Sequence, residues 1–172
     1  VSLREREAIA AAAALGVAGV AFLRHGDGEV VADRDLRGAI VAAIRRWRPA
    51  VVFTHDPETP LPRYTAHRDH RATGRATLDA VYPDARDHLA YPEHHALGLQ
   101  PHAVREVWLF ASAAADRVVD VAPVWERKIA SRLLHTSQTP DPAALPASWR
   151  AMHRVADDGP ALGEAFTVIT FD

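Results

Sequence analysis

The stretch YTAHRDHRATG, residues 64–74, sets His67, Asp69 and His70 within four positions, with Arg68 and Arg71 beside them. Imidazole carries protons near neutral pH and ligates divalent metals, and a nearby carboxylate can fix which ring nitrogen holds the proton. The chemistry to expect is the binding of a divalent metal such as Zn²⁺. On a helix that starts near Asp69, positions 70, 74, 78 and 81 share one face. His70, Gly74, Leu78 and Val81 then form an inward stripe, with His70 in the first turn and Gly74 permitting close approach to a sheet. His67 falls on the same side, three residues earlier, and Asp69 can orient a ring nitrogen from behind. Catalytic zinc ordinarily takes three protein ligands, and this motif supplies one or two. His55 and Asp56, in FTHDP, are the nearest supplements. The bland alternatives stay open on spacing alone. An HxxH pair arises by chance, an inward histidine can simply be hydrogen-bonded core, and Asp56-Pro57 also reads as the start of a turn.

Several elements must position these groups. The alanine-rich stretch from about Leu3 to Leu15 reads as a helix closed by Gly16. GVAFL, residues 19–23, suits a buried strand, and RHGDGE after it a turn. Leu36, Ile40, Ile44 and Trp47 recur at helical spacing behind an N-cap at Asp33 or Asp35, and Pro49 ends that helix. AVVFT, residues 50–54, is a second buried strand. A proline-studded loop, residues 55–66, leads to the histidine motif and a helix reaching about Val81. Residues 82–102 form a long polar connection of the kind that shapes a site. VREVWLFA (104–111), RVVDV (117–121) and AFTVITF (165–171) read as strands. Trp125, Ile129 and Leu133 mark a helix, and a short one runs from Ser148 to Val155. This alternation predicts an α/β sandwich with a largely parallel sheet. Such sheets bind ligands beyond the carboxyl ends of their strands, where Thr54, His55 and Asp56 lie. No strand precedes the first helix.

The composition narrows the function classes. A chain of 172 residues, 48% apolar, has the size of one domain with its own core, taken here as residues 1–172. Its formal charge of −2 gives no electrostatic footprint for nucleic acid. RRWR, residues 45–48, is the densest basic run and reads as a solvated helix end. Without cysteine there is neither a disulfide scaffold nor a thiolate metal site, so a metal would need histidine and carboxylate donors. Most of the ten histidines read as surface residues, including the pair His94 and His95. No apolar run is long enough to cross a bilayer, so no membrane partner is expected and the cytoplasm is the default location.

Four segments, LREREAIAAAAALGV, FTHDP, HRDHRATG and KIASRLLHTSQ, occur in that order, with LDAVYPDARD and VREVWLF between them. Together they resemble the zinc-dependent de-N-acetylases called PIG-L or LmbE-like. That family includes glucosaminyl-phosphatidylinositol deacetylases and the deacetylases of mycothiol and bacillithiol synthesis. The resemblance covers nearly the whole chain and implies a three-layer, Rossmann-like α/β sandwich. It makes His70 a Zn²⁺ ligand, as the last histidine of the HxDH-type motif. His67 becomes the residue that stabilises the tetrahedral intermediate or protonates the leaving amine. Arg4, in an RxxE pattern with Glu7, becomes a substrate-binding arginine. His55 and Asp56 are expected to bind substrate from their place at the strand end, not from a family motif. Lys128, His135 and Gln138 match a stretch of mainly structural meaning. Arg68 stands where the family commonly has proline.

The family's HPDD-type motif is absent from this sequence. The resemblance therefore places the other two ligands and the general-base carboxylate before Val1, together with the first strand. The expected function is hydrolytic removal of an N-acyl group, usually acetyl, from an amino sugar or related small molecule. These residues alone would be inactive. Two alternatives follow from the same absence: a shortened, sugar-binding relative without turnover, or a different metal site built from His55, Asp56 and His70. The acyl group, the amine and any homo-oligomeric state stay open.

Overall fold

The computed structural model describes residues 1–61, 64–154 and 160–172. Its elements are α1 (Leu3–Leu15), α2 (Arg34–Trp47), β1 (Val51–His55), α3 (Arg68–Asp79), β2 (Glu106–Phe110), β3 (Arg117–Asp120), α4 (Trp125–Leu133), α5 (Leu145–Met152) and β4 (Gly163–Thr170). Two compact units can be separated: Val1–Leu23 with Val118–Glu164, and Arg24–Arg117 with Ala165–Asp172.

In the first unit α1 is fixed at both ends by local chemistry. The Ser2 hydroxyl accepts the Glu5 N–H while the Glu5 carboxylate accepts the Ser2 N–H, a reciprocal capping box. Gly16 closes the helix at φ 75°, a left-handed conformation that glycine adopts without penalty. Ala11 is buried, and its carbonyl accepts the Ser131 hydroxyl of α4 at 3.3 Å. From α4, Trp125 and Ile129 pack with Val121 and Leu162, and Leu133 and Trp149 border that cluster. Trp149 belongs to α5, which starts three residues before the expected Ser148 because Pro146 is well suited to a first helical turn. Val155, the expected end of that helix, lies outside the described residues, as do Pro62 and Arg63 of the proline-studded loop.

The second unit holds the larger core: Val41, Ile44, Ala80, Val81, Ala85, Tyr91, Val104, Val107 and Leu109. Asp33 caps α2 by accepting the Leu36 N–H at 2.9 Å. The helix buries Leu36, Gly38, Val41, Ile44 and Arg45, while Trp47 is 58% exposed. Arg45 corrects the reading of RRWR as a solvated end. Its guanidinium is buried and donates to the carbonyls of Asp84, Ala85, Asp87, Ala90 and Tyr91, at 2.7 to 3.4 Å. A cation surrounded by oriented carbonyl dipoles needs no water, and the long connection 82–102 is folded around it. His94 is likewise buried rather than superficial, stacked on Tyr91 with ring centroids 5.3 Å apart and with Nδ1 3.4 Å from Arg45. Burial, and then the Arg45 charge, hold its pKa below the ordinary histidine value.

β1 pairs parallel with β2, in register from Val51 opposite Glu106 to His55 opposite Phe110. β4 pairs antiparallel with β2, and the strand order is β1-β2-β4-β3. The sheet is thus mixed, where the alternation of elements predicted mostly parallel strands. Between β1 and β2 the chain runs through α3, the crossover that parallel neighbours require. Alternation of elements does not by itself set the direction in which β4 enters. GVAFL forms no strand: apart from half-buried Phe22, its residues are exposed. An extended segment is stabilised by a ladder partner, and residues 19–23 have none among the described strands.

Candidate active site

The carboxyl ends of β1 and β2 finish level with one another, which places His55 directly across from Phe110. The two rings meet edge to face, centroids 4.5 Å apart. The chain then turns at once. Asp56 donates its N–H to the Phe110 carbonyl at 3.2 Å, and its carboxylate accepts the Glu58 N–H at 2.9 Å. The Thr59 hydroxyl lies within hydrogen-bond distance of both the Asp56 and Ala111 carbonyls, at 3.0 and 3.1 Å. Asp56 therefore shapes the turn that leaves the strand end.

Gly74 brings α3 onto this edge. A Cβ at position 74 would lie 2.4 Å from the His55 carbonyl oxygen and 3.2 Å from Pro57 Cδ. Only a hydrogen fits there. One turn earlier, His70 is carried over the side chain of His55. The two imidazoles stack face to face, centroids 4.1 Å apart and planes within 6° of parallel. The stripe expected from spacing is present, with Gly74 and Val81 buried and His70 and Leu78 half-buried.

His70 Nδ1 lies 3.2 Å from the Thr65 carbonyl. A carbonyl can only accept, so Nδ1 carries the proton and Nε2 the lone pair in the neutral ring, the tautomer of a metal-binding histidine. From its spacing, Asp69 is the residue expected to orient a histidine ring nitrogen. Instead, Asp69 accepts the backbone N–H of Gly28 at 2.6 Å and of Val30 at 3.2 Å, tying the turn at 26–30 to the start of α3. His67 is the N-cap of α3. Its Nδ1 accepts the Asp69 N–H at 3.3 Å and lies 3.9 Å from the Asp69 carboxylate. Its side chain is 44% exposed, and its ring centroid is 5.6 Å from that of His70.

His55 is held well below the ordinary histidine pKa, at about 4, first by burial and then by the charge His70 would carry. Its Nδ1 is buried without a hydrogen-bond partner. At neutral pH the ring is uncharged.

Among the described residues, no three His, Asp or Glu side chains gather as a metal-binding group. His70 on its own fits the role of one donor, through Nε2. His55, Asp56 and His70 do not form an alternative metal site: the stacked rings direct their in-plane lone pairs side by side rather than toward one point, and the Asp56 carboxylate is engaged in its turn. The structure thus gathers His55, His67, Asp69 and His70, with Asp56 at the adjoining turn. Arg4 stands exposed on α1, in the other unit. Two contributors escaped the sequence reading. The Thr65 carbonyl is a backbone group without a side-chain signature. Phe110 could have been found only from the strand register.

The first unit has its own polar focus. Glu7, buried in α1, accepts the Thr136 hydroxyl at 2.6 Å and both the N–H and hydroxyl of Ser137, at 2.8 and 2.6 Å. These bonds, the Ser137 hydroxyl foremost, lower its pKa to about 2. The RxxE and HTSQ stretches therefore meet through Glu7. A hollow of about 460 Å³ in this unit, bordered by Leu15, Lys128 and Trp149, contains none of the predicted site residues.

Residues 1–81 match the family model described as PIG-L: GlcNAc-PI de-N-acetylase. The chain is 33% identical over 127 residues to the diacetylchitobiose deacetylase of Thermococcus kodakarensis, an alignment covering 74% of this chain and 46% of that protein. It thus spans about half the length of the curated relative it matches. Among solved structures, it superimposes on the N,N'-diacetylchitobiose deacetylase of Pyrococcus horikoshii, complexed with its inhibitor MPG. The TM-score is 0.87 at 25% identity, covering 98% of this chain and 63% of that one. A conserved protein from Thermus thermophilus follows at a TM-score of 0.78 and 26% identity, covering 96% and 72%.

Proposed function

The chain belongs to the PIG-L family, and from that premise we propose that the protein hydrolyses the N-acetyl group of an amino sugar or a related small molecule. The observation that carries this reading is the tautomer of His70, which offers Nε2 at the carboxyl end of a parallel strand pair. The relatives named as diacetylchitobiose deacetylases support the substrate class and do not favour a binding protein without turnover.

His70 would hold one divalent metal ion, Zn²⁺ by family resemblance, with donors that the described residues do not supply completing the shell. When bound, the ion would contribute polarisation of the amide carbonyl and a water whose pKa falls to about 7. His67 acts beside it. In the neutral ring Nδ1 accepts the Asp69 N–H; once protonated on both nitrogens, with Nδ1 3.9 Å from the Asp69 carboxylate, the ring can pass its Nε2 proton to the amine as the C–N bond breaks and return to neutral imidazole. In its protonated state the same ring stabilises negative charge on the carbonyl oxygen. Asp69 serves the site by fixing the first turn of α3. Arg4, His55 and Asp56 are proposed to face the substrate, Arg4 by resemblance alone.

Acetate release from N-acetylglucosamine and diacetylchitobiose tests this reading, with Zn²⁺ present and after chelation. Release should stop on chelation and return with the metal. His67→Ala should lower kcat by about 10²- to 10⁴-fold, the ordinary contribution of acid–base catalysis. A Zn²⁺-loaded protein carrying a complete set of metal donors that releases no acetate from any N-acetylated amino sugar would refute it.

A further inference from the structure

We propose that His55 is a positioning residue that fixes the plane of the His70 ring through its face. A histidine side chain has two soft torsions, and a useful metal donor must be restrained in both. The hydrogen bond to the Thr65 carbonyl selects which edge of the His70 ring points backward, but it does not stop the ring rocking about the Nδ1–O line. A parallel neighbour at 4.1 Å does, because rocking drives one side of the ring into that neighbour. His55 is suited to the task because it is itself immobilised. Phe110 closes on its ring from the side, and Gly74 lets α3 press directly on its backbone carbonyl. Its Nδ1 makes no hydrogen bond, so that buried edge holds nothing in place by polar contact. The face of the ring is what His55 supplies to His70.

This gives the strand end a purpose apart from touching substrate. The functional meaning rests on reading His70 as a metal donor, but the ring geometry can be measured without metal or turnover. The test is the neutral-ring tautomer of His70, read from long-range ¹⁵N–¹H correlations in the metal-free chain at pH 8. Wild type should show a single Nδ1–H form, with ring protons shifted upfield by the stacked neighbour. His55→Phe keeps a flat face and should preserve that tautomer. His55→Leu removes the face and should give a mixture of both tautomers.

A His55→Leu protein that retains the single Nδ1–H form would overturn the proposal, since the Thr65 carbonyl would then suffice. If His55→Leu does not fold, the wild-type spectrum decides. A His70 ring without the upfield shift, or with averaged tautomers, refutes the stack, whereas the shift together with a preserved tautomer in His55→Phe supports it. None of these outcomes depends on acetate release, so failure here leaves the hydrolase reading standing and separately testable.

Discussion

Replacing Gly74 with alanine probes the contact on which the site's geometry depends. The added Cβ would sit 2.4 Å from the His55 carbonyl oxygen and 3.2 Å from both the His55 carbonyl carbon and Pro57 Cδ. The nearest of these atoms is backbone, so no side-chain rotation relieves the clash. α3 or β1 must retreat by at least ~0.6 Å, the difference between 2.4 Å and the ~3.0 Å below which real Cβ contacts are essentially never found. Overpacking of this kind costs about 1–3 kcal/mol, and a rigid backbone neighbour belongs at the upper end. Alanine returns about 1 kcal/mol in helix propensity. The net loss should be about 2 kcal/mol, which for a chain of this size is a fall in Tm of roughly 4–8 °C. Retreat of the helix also pulls His70 off His55, one turn away, so deacetylation should fall more steeply than folded fraction. The assay is thermal unfolding followed by circular dichroism, with acetate release measured well below Tm. A Gly74→Ala protein as stable as wild type, or more so, would show that propensity outweighs the clash and that α3 does not need glycine here.

Asp69→Asn leaves one acceptor oxygen for two backbone N–H groups. Loss of the second charge-assisted bond should cost about 1.5–3 kcal/mol and raise hydrogen exchange at Gly28 and Val30; unchanged exchange at both amides would contradict the anchoring role. The Glu7 carboxylate, ordinarily at 4.5, has its pKa lowered to about 2, so its stabilising contribution is complete above about 4.5 and is lost as pH falls from there toward 2. Urea midpoints should therefore decline through that window in wild type and stay flatter in Glu7→Gln; parallel curves would remove Glu7 as the cause. Arg45→Met would strand the carbonyls of Asp84, Asp87 and Ala90, and the cost should exceed about 3 kcal/mol, with proteolytic cleavage appearing between residues 84 and 94.

Much of the scaffold was readable locally. The helix at Leu3–Leu15 with its Gly16 stop, the Asp33 cap and the inward stripe of α3 each depend on residues a few positions apart. Caps and periodicity act within one or two turns, so they leave a trace in the order of residues. The histidine motif was equally visible, and so was its family.

What the tertiary structure decided involves partners distant in the chain. Asp69 is engaged by amides 39 and 41 residues upstream, and Arg45 by carbonyls about 40 residues downstream. Backbone amides and carbonyls are the same chemical group at every position, so no residue letter announces which of them a side chain will meet. The same holds for strand direction and for the failure of residues 19–23 to become a strand, since a ladder is a property of two segments. His70 shows both levels at once: its spacing turned it inward, and only the fold set its ring against His55 and the Thr65 carbonyl.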